Sequence, residues 1–339
     1  MTSMERTSCI LKESSAITGN NQRLLTFKII KDFTVTEYFF SLMWDLDHEL
    51  VYCPIYKVAS GTWTTNFLRL SQFNQDLPKW QRFSKLHGAS ESTSRGLFPP
   101  PDVSRAKQKK LLKKSTKFLV VRHPFDRIIS AYTGKIANPS PKPRFYKQVQ
   151  AEILKNYRTA VNPDHPTPTF SEYVHYLLHQ TDDLRHPREW RGVDCVQSYY
   201  SVCVPCDVEY DVIIKLETHD QDTEYLIRKL NLTELQEPFT MWKHSSKDRN
   251  SIGDYDYYLY DEEWRNPRNI DTGHETSENT LAAEMVSDEV RKKLEKLEYK
   301  KNLFGQLTRE EVEHLYDNYR VDFEMFGYDA EEFLNYASS

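Results

Sequence analysis

Three short apolar runs punctuate a largely polar chain, and each is followed by residues at helical spacing. Leu50-Val51-Tyr52-Cys53-Pro54-Ile55 reads as a strand, and Trp63, Phe67 and Leu70 recur beyond it at i, i+4 and i+7, one face of a helix. Lys117-Phe118-Leu119-Val120-Val121 reads as a second strand. Pro124 then suits a first helical position, and Phe125, Ile128, Ile129 and Tyr132 mark a buried helical face. Tyr210–Leu216 is a third strand, with a helix expected over Tyr225–Leu230. Strands alternating with helices predict an α/β protein with a central parallel sheet flanked by helices. Further helices are predicted over Phe170–His179, 288–300 and 308–323, the last opened by a capping-box pair, Thr308 and Glu311. Proline clusters at 99–101, 139–143 and 163–168 mark surface loops, and 245–280 forms a polar, acidic excursion.

Composition changes this picture mainly by exclusion. The 339 residues contain ten glycines, and no two stand closer than eight positions. A G-x-G-x-x-G fingerprint, a Walker A loop and a G-x-S-x-G elbow all require closer pairs, so none of the three is present. The net charge of −5 does not suit a protein that coats nucleic acid. No window approaches the roughly 18 apolar residues of a membrane span. Residues 1–45 read as a variable leader, and 46–335 as one catalytic-sized domain. Of the five cysteines, Cys195, Cys203 and Cys206 fall within twelve residues. A lone C-x-x-C is poor support for structural zinc, and a local disulfide is the alternative.

Candidate chemistry gathers where strands end. Lys57-Val58-Ala59-Ser60-Gly61-Thr62 leads from the first strand into a helix N-terminus, where backbone N–H groups and the dipole favour an anion. Lys57 adds a cation there, and Ser60, Thr62 and Thr64 add hydroxyls; an ordinary turn with a solvated lysine is the alternative. Arg122 ends the second strand, where a guanidinium can grip a phosphate through two hydrogen bonds, and Ser130 follows eight residues later, off the apolar stripe. Two anion-binding strand ends in one parallel sheet point to a ligand with two anionic groups.

These segments resemble a known family. Lys57-Val58-Ala59-Ser60-Gly61-Thr62-Trp63 is similar to the 5′-phosphosulfate loop of the Golgi carbohydrate sulfotransferases, specifically the chondroitin 4-O-sulfotransferase-like group. Arg122-His123-Pro124-Phe125-Asp126-Arg127 with Ser130-Ala131-Tyr132 resembles its 3′-phosphate motif. Cys203-Val204-Pro205-Cys206, Tyr210-Asp211 and Lys215-Leu216-Glu217-Thr218 resemble a third block, and the run from Tyr319 to Tyr328 resembles the carboxyl-terminal signature. The chain departs from the family at Tyr56 (usually proline), at Thr64-Thr65 (a lysine-arginine pair) and at Glu189-Trp190 (a His-Trp pair). The family's amino-terminal anchor is also missing, and an upstream signal anchor is expected in the complete protein.

The resemblance implies a P-loop-like sulfotransferase fold without a Walker A motif. It also implies the donor 3′-phosphoadenosine 5′-phosphosulfate, no metal, a glycan or glycosaminoglycan acceptor and work in the Golgi lumen. GalNAc O-4 of chondroitin or dermatan is the expected acceptor site; a glycan-binding pseudoenzyme, or sulfation of N-glycan terminal sugars, is the alternative. Implied donor contacts are Lys57, Val58, Ala59, Ser60, Gly61, Thr62, Trp63, Thr64, Arg122, Ser130, Lys243 and Ser245. Lys57 carries the electrostatic role, His87 is the candidate general base, and Glu189 is the reserve. Three features stand apart. His175 and His179 have metal-ligand spacing but no accompanying motif, so surface histidines are expected. Arg105–Lys117 holds seven basic residues in thirteen, either an acidic-glycan surface or a solvated helix. Asn231-Leu232-Thr233 is a glycosylation sequon if the domain is lumenal.

Overall fold

In the computed structural model, described over residues 42–71, 96, 98–141, 145–159, 166–180, 194–236 and 278–338, the apolar runs become neighbouring strands. Strands β1 (Met43–Asp45), β2 (Leu50–Cys53), β3 (Thr116–Val121) and β4 (Val212–Lys215) form one sheet in that order. β2 pairs with β3 in parallel, Cys53 opposite Leu119, and β3 pairs with β4 in parallel, Val121 opposite Lys215. All of β2 and nearly all of β3 are buried, which is why they read as unbroken apolar runs and not as alternation.

The sheet is mixed, not wholly parallel, because β1 pairs antiparallel with β2 through a tight turn that holds Glu49 at φ 48°. A three-residue strand is too short to display any periodicity, so sequence pattern does not reveal it. It lies in the last residues of the segment read as a leader. An antiparallel edge strand on an otherwise parallel sheet is a common arrangement.

The α-helices of five or more residues are α1 (Ser60–Leu70), α2 (Arg105–Lys114), α3 (Pro124–Ala131), α4 (Tyr146–Tyr157), α5 (Phe170–Gln180), α6 (Tyr199–Cys203), α7 (His219–Leu230), α8 (Glu278–Phe304) and α9 (Arg309–Phe326), with single α-helical turns at Pro205–Val208 and Glu331–Leu334. α1 docks on the sheet through Trp63 and Phe67: Trp63 lies 4.4 Å from the Phe118 ring, which stacks at 4.7 Å on Tyr52. A second core unites α3, α4, α5 and the ends of α8 and α9 around Phe125, Phe170, Phe304 and Phe323. The expected capping box at the start of α9 is formed, with Thr308 and Glu311 each bonding the other's backbone N–H. α7 begins six residues earlier than its apolar pattern. Its first turn carries Asp220 and Asp222, which suit a helix N-terminus without marking a buried face.

The cysteines correct a local expectation. Cys203 does not pair inside its cluster but with Cys53, 150 residues earlier, and Cys195 is a buried thiol outside any disulfide, 3.0 Å from the Tyr146 hydroxyl. Cys206 is also disulfide-bonded. The Cys53–Cys203 bond ties the last residue of β2 to the last residue of α6. Closing so long a loop should contribute roughly 2–5 kcal/mol. Cys203→Ala is therefore expected to lower the melting temperature by several degrees in calorimetry; an unchanged melting temperature would contradict a structural role for the bond.

Candidate active site

Parallel pairing sends the loops after β2, β3 and β4 to one edge of the sheet, and the site is built there. The loop after β2 turns sharply. Lys57 (φ 67°) and Ala59 (φ 60°) both adopt left-handed backbone conformations, while Val58 between them does not. Such alternation turns successive N–H groups into a concave, anion-binding surface. Each non-glycine residue held there costs about 1–3 kcal/mol, strain of the kind found at ligand clamps. Ala59 is the N-cap of α1, no side chain caps that helix end, and its first turn carries no acid. The helix itself therefore places no carboxylate at the positive end of its dipole.

Lys57 is only 6% exposed, so the solvated-lysine alternative fails. Ser60 is buried and Thr62 half-buried, while Gly61 is exposed at the helix end. The Thr64 hydroxyl, buried one turn in, lacks a hydrogen-bond partner among the described residues. Thr65 donates back to the Gly61 carbonyl at 3.0 Å. Trp63 is a core residue, fully buried, with its ring packed against Phe118 of the sheet.

The loop after β3 is fixed by its backbone. The Tyr199 hydroxyl accepts from the Arg122 N–H at 2.9 Å and donates to the Arg122 carbonyl at 3.1 Å. His123 caps α3: its Nδ1 accepts from the Phe125 N–H at 3.2 Å, and its Nε2–H donates to the Asp329 carbonyl at 2.8 Å. Burial pushes the His123 pKa down, which matches this neutral tautomer. Asp126 is pulled upward by burial, but the Arg122 and Lys300 charges outweigh that and hold it below the usual carboxylate range. Its partner Lys300 lies at 2.7 Å. Ser130 is half-buried on α3, while Phe125, Ile128, Ile129 and Tyr132 are buried, as their spacing requires.

At the end of β4, Glu217 ties the third loop to the other two. It accepts from the His123 N–H at 2.9 Å and, through its second oxygen, from the Tyr328 hydroxyl at 2.9 Å. Lys215 lies over the Tyr328 ring at 4.7 Å. The carboxyl-terminal signature therefore braces the second loop. Tyr199, Glu217 and Asp322 are the supports that sequence reasoning left without a role. Only their membership in matched segments singled out Glu217 and Asp322, and nothing singled out Tyr199.

His87, Glu189, Lys243 and Ser245 lie outside the described residues. His175 pairs with Glu311 across α5 and α9, and His179 donates to the His175 carbonyl at 2.8 Å, so both have structural partners. The basic run ends at the amino end of β3, opposite the strand ends carrying Lys57 and Arg122. There Lys117 is buried and paired with Asp211 at 2.6 Å, and Lys114 pairs with Glu49. Asn231 is exposed at the left-handed C-cap of α7.

Asp322 is fully buried and accepts from the N–H groups of Tyr199 (2.9 Å) and Tyr200 (3.1 Å), capping α6. Burial raises its pKa to about 6, partly offset by those bonds and by the Arg127 charge. A raised carboxylate favours the folded state below its folded pKa and loses that advantage as pH rises through it. Wild type should therefore gain stability relative to Asp322→Asn as pH falls from about 6 toward 4, by on the order of 2 kcal/mol. Parallel stability–pH profiles from urea unfolding would contradict this.

Residues 41–329 match the sulfotransferase family. Carbohydrate sulfotransferase 12 of Xenopus laevis is 33% identical over 214 residues, covering 57% of this chain and 49% of that protein. Carbohydrate sulfotransferase 11 of Rattus norvegicus is 30% identical over 192 residues, covering 55% and 52%. Carbohydrate sulfotransferase 14 of Danio rerio is 27% identical over 190 residues, covering 54% and 46%. The chain spans about half the length of the curated relatives it matches. No solved structure matches it.

Proposed function

Since the chain belongs to the sulfotransferase family, we propose that it moves a sulfuryl group from 3′-phosphoadenosine 5′-phosphosulfate to a glycan hydroxyl, with GalNAc O-4 of chondroitin or dermatan as the acceptor. The observation that carries this reading is that the Lys57 loop and the Arg122 loop leave the same ends of adjacent parallel strands, β2 and β3. One nucleotide with a phosphate at each end of its ribose satisfies both. The relatives named as carbohydrate sulfotransferases support the choice of a sugar acceptor.

The buried Lys57 and the strained turn fit a phosphate better than a neutral group, and the buried Thr64 hydroxyl, unpartnered among the described residues, offers one further polar group. The donor supplies a sulfur that the acceptor oxygen attacks in line as the bond from sulfur to the bridging phosphate oxygen breaks. Lys57 and the α1 N-terminus then stabilise the negative charge growing on that oxygen and on the 5′-phosphate. Arg122 and Ser130 hold the 3′-phosphate, and Lys243 and Ser245 join them in this reading. His87, or Glu189 in reserve, takes the acceptor proton. The products are a sulfate ester and adenosine 3′,5′-bisphosphate. Fixed cations and dipoles do the charge work in this scheme, which therefore needs no metal.

An acceptor of this class is met in the Golgi lumen. The Cys53–Cys203 bond suits an oxidising compartment, and the exposed Asn231 sequon is open to glycosylation there.

Transfer of labelled sulfate from the donor to desulfated chondroitin, desulfated dermatan and terminal N-glycan sugars tests the reading. Incorporation at GalNAc O-4 is expected; incorporation only into N-glycan sugars would move the acceptor, and donor binding without incorporation would indicate a pseudoenzyme. Lys57→Ala should lower turnover by roughly 10²–10³, as loss of one preorganised charge does; near-normal turnover in the folded variant would remove Lys57 from the mechanism. Arg122→Ala should weaken adenosine 3′,5′-bisphosphate far more than adenosine 5′-monophosphate in calorimetry. Equal losses for the two ligands would contradict its assignment to the 3′-phosphate.

A further inference from the structure

Arg127 is a long cation buried to 2% exposure, one turn into α3 and five residues after Arg122. Its guanidinium faces three elements. Nε–H donates to the Tyr56 carbonyl at 3.0 Å, Nη1–H donates to the Gln197 carbonyl at 2.5 Å, and the planar group lies 4.8 Å over the Tyr199 ring. Nη2 has no hydrogen-bond partner among the described residues. The buried Asp322 carboxylate feels its charge without a direct ion pair.

Two of these contacts lead to the candidate loops. Tyr56 immediately precedes Lys57, so holding its carbonyl fixes the peptide plane from which the left-handed Lys57 projects. Tyr199 clamps the N–H and carbonyl of Arg122 with its hydroxyl while its ring lies against Arg127. One guanidinium thus touches the first loop directly and the second through a single aromatic ring. A ligand whose two phosphates are separated by a fixed ribose requires a fixed span between the loops. A lysine ammonium has neither a planar face to lay on the Tyr199 ring nor a rigid fork to hold the two carbonyls in one fixed geometry.

We propose that Arg127 is a positioning residue that sets the register between the Lys57 loop and the Arg122 loop, so that both ends of a bisphosphorylated nucleotide are gripped together. The ligand assignment rests on the proposed function; the mechanical linkage does not. Arg127→Lys and Tyr199→Phe in the full chain test the two halves. Without any ligand, amide hydrogen exchange across residues 55–62 should quicken at least tenfold in folded Arg127→Lys. Tyr199→Phe, which keeps the ring, should instead quicken exchange at 121–124 and leave 55–62 near wild type. Both variants should bind adenosine 3′,5′-bisphosphate roughly tenfold or more weakly, since small misplacements of binding groups are costly. Donor KM should rise with acceptor KM unchanged.

Wild-type exchange across 55–62 in Arg127→Lys, or a uniform rise over the whole chain, would overturn the linkage and leave Arg127 a packing residue. Should Arg127→Lys not fold, wild-type exchange at 121–124 and an unchanged bisphosphate Kd in Tyr199→Phe would overturn it equally. Failure of the wild-type protein to bind the bisphosphate would instead defeat the functional reading, while the ligand-free exchange would still decide the linkage.

Discussion

Parallel pairing of β2, β3 and β4 is the constraint on which the rest depends. Strands that run the same way must end at the same edge, and each must then cross back through a helix or loop. The residues that follow each strand are thereby collected without any need for sequence proximity: Lys57 after β2, Arg122 after β3, Lys215 and Glu217 at the end of β4. An open sheet of this kind places ligands in the crevice beyond its strand carboxyl ends. The antiparallel β1 only covers the outer edge.

Holding that edge in a strained form takes tertiary support, because the loop after β2 does not use glycine where its backbone turns left-handed. Lys57 and Ala59 occupy those positions, and the surroundings compensate. Trp63 anchors α1 on Phe118, the Cys53–Cys203 bond fixes the root of the loop, and Arg127 holds the Tyr56 carbonyl. The second loop is stabilised from the far end of the chain, where Asp329 and Tyr328 reach His123 and Glu217. The carboxyl-terminal signature thus supports the second loop.

The strands and the two loops were legible because burial on both faces writes a strand as an unbroken apolar run, and because proline and hydroxyl residues mark the helix starts. β1 was not, being three residues long. The partner of Cys203 was not, since spacing within a cluster carries no information about a cysteine 150 residues away. The burial of Lys57 and Thr64 was equally hidden: both residue types are ordinarily exposed, and only the fold of α1 against the sheet encloses them. Arg127 illustrates the general case. Its residue type and place in a matched motif were visible, but its work depends on carbonyls 71 and 70 residues away in sequence.

The central claim is that the ends of β2 and β3 grip the two phosphates of one nucleotide. A crystal structure of the protein with adenosine 3′,5′-bisphosphate tests it most directly. The expected result places the 5′-phosphate in the turn from Lys57 to Thr62 and the 3′-phosphate against Arg122 and Ser130, with the ribose spanning the two loops. A bisphosphate bound elsewhere, or with its 3′-phosphate away from Arg122, would contradict the assignment.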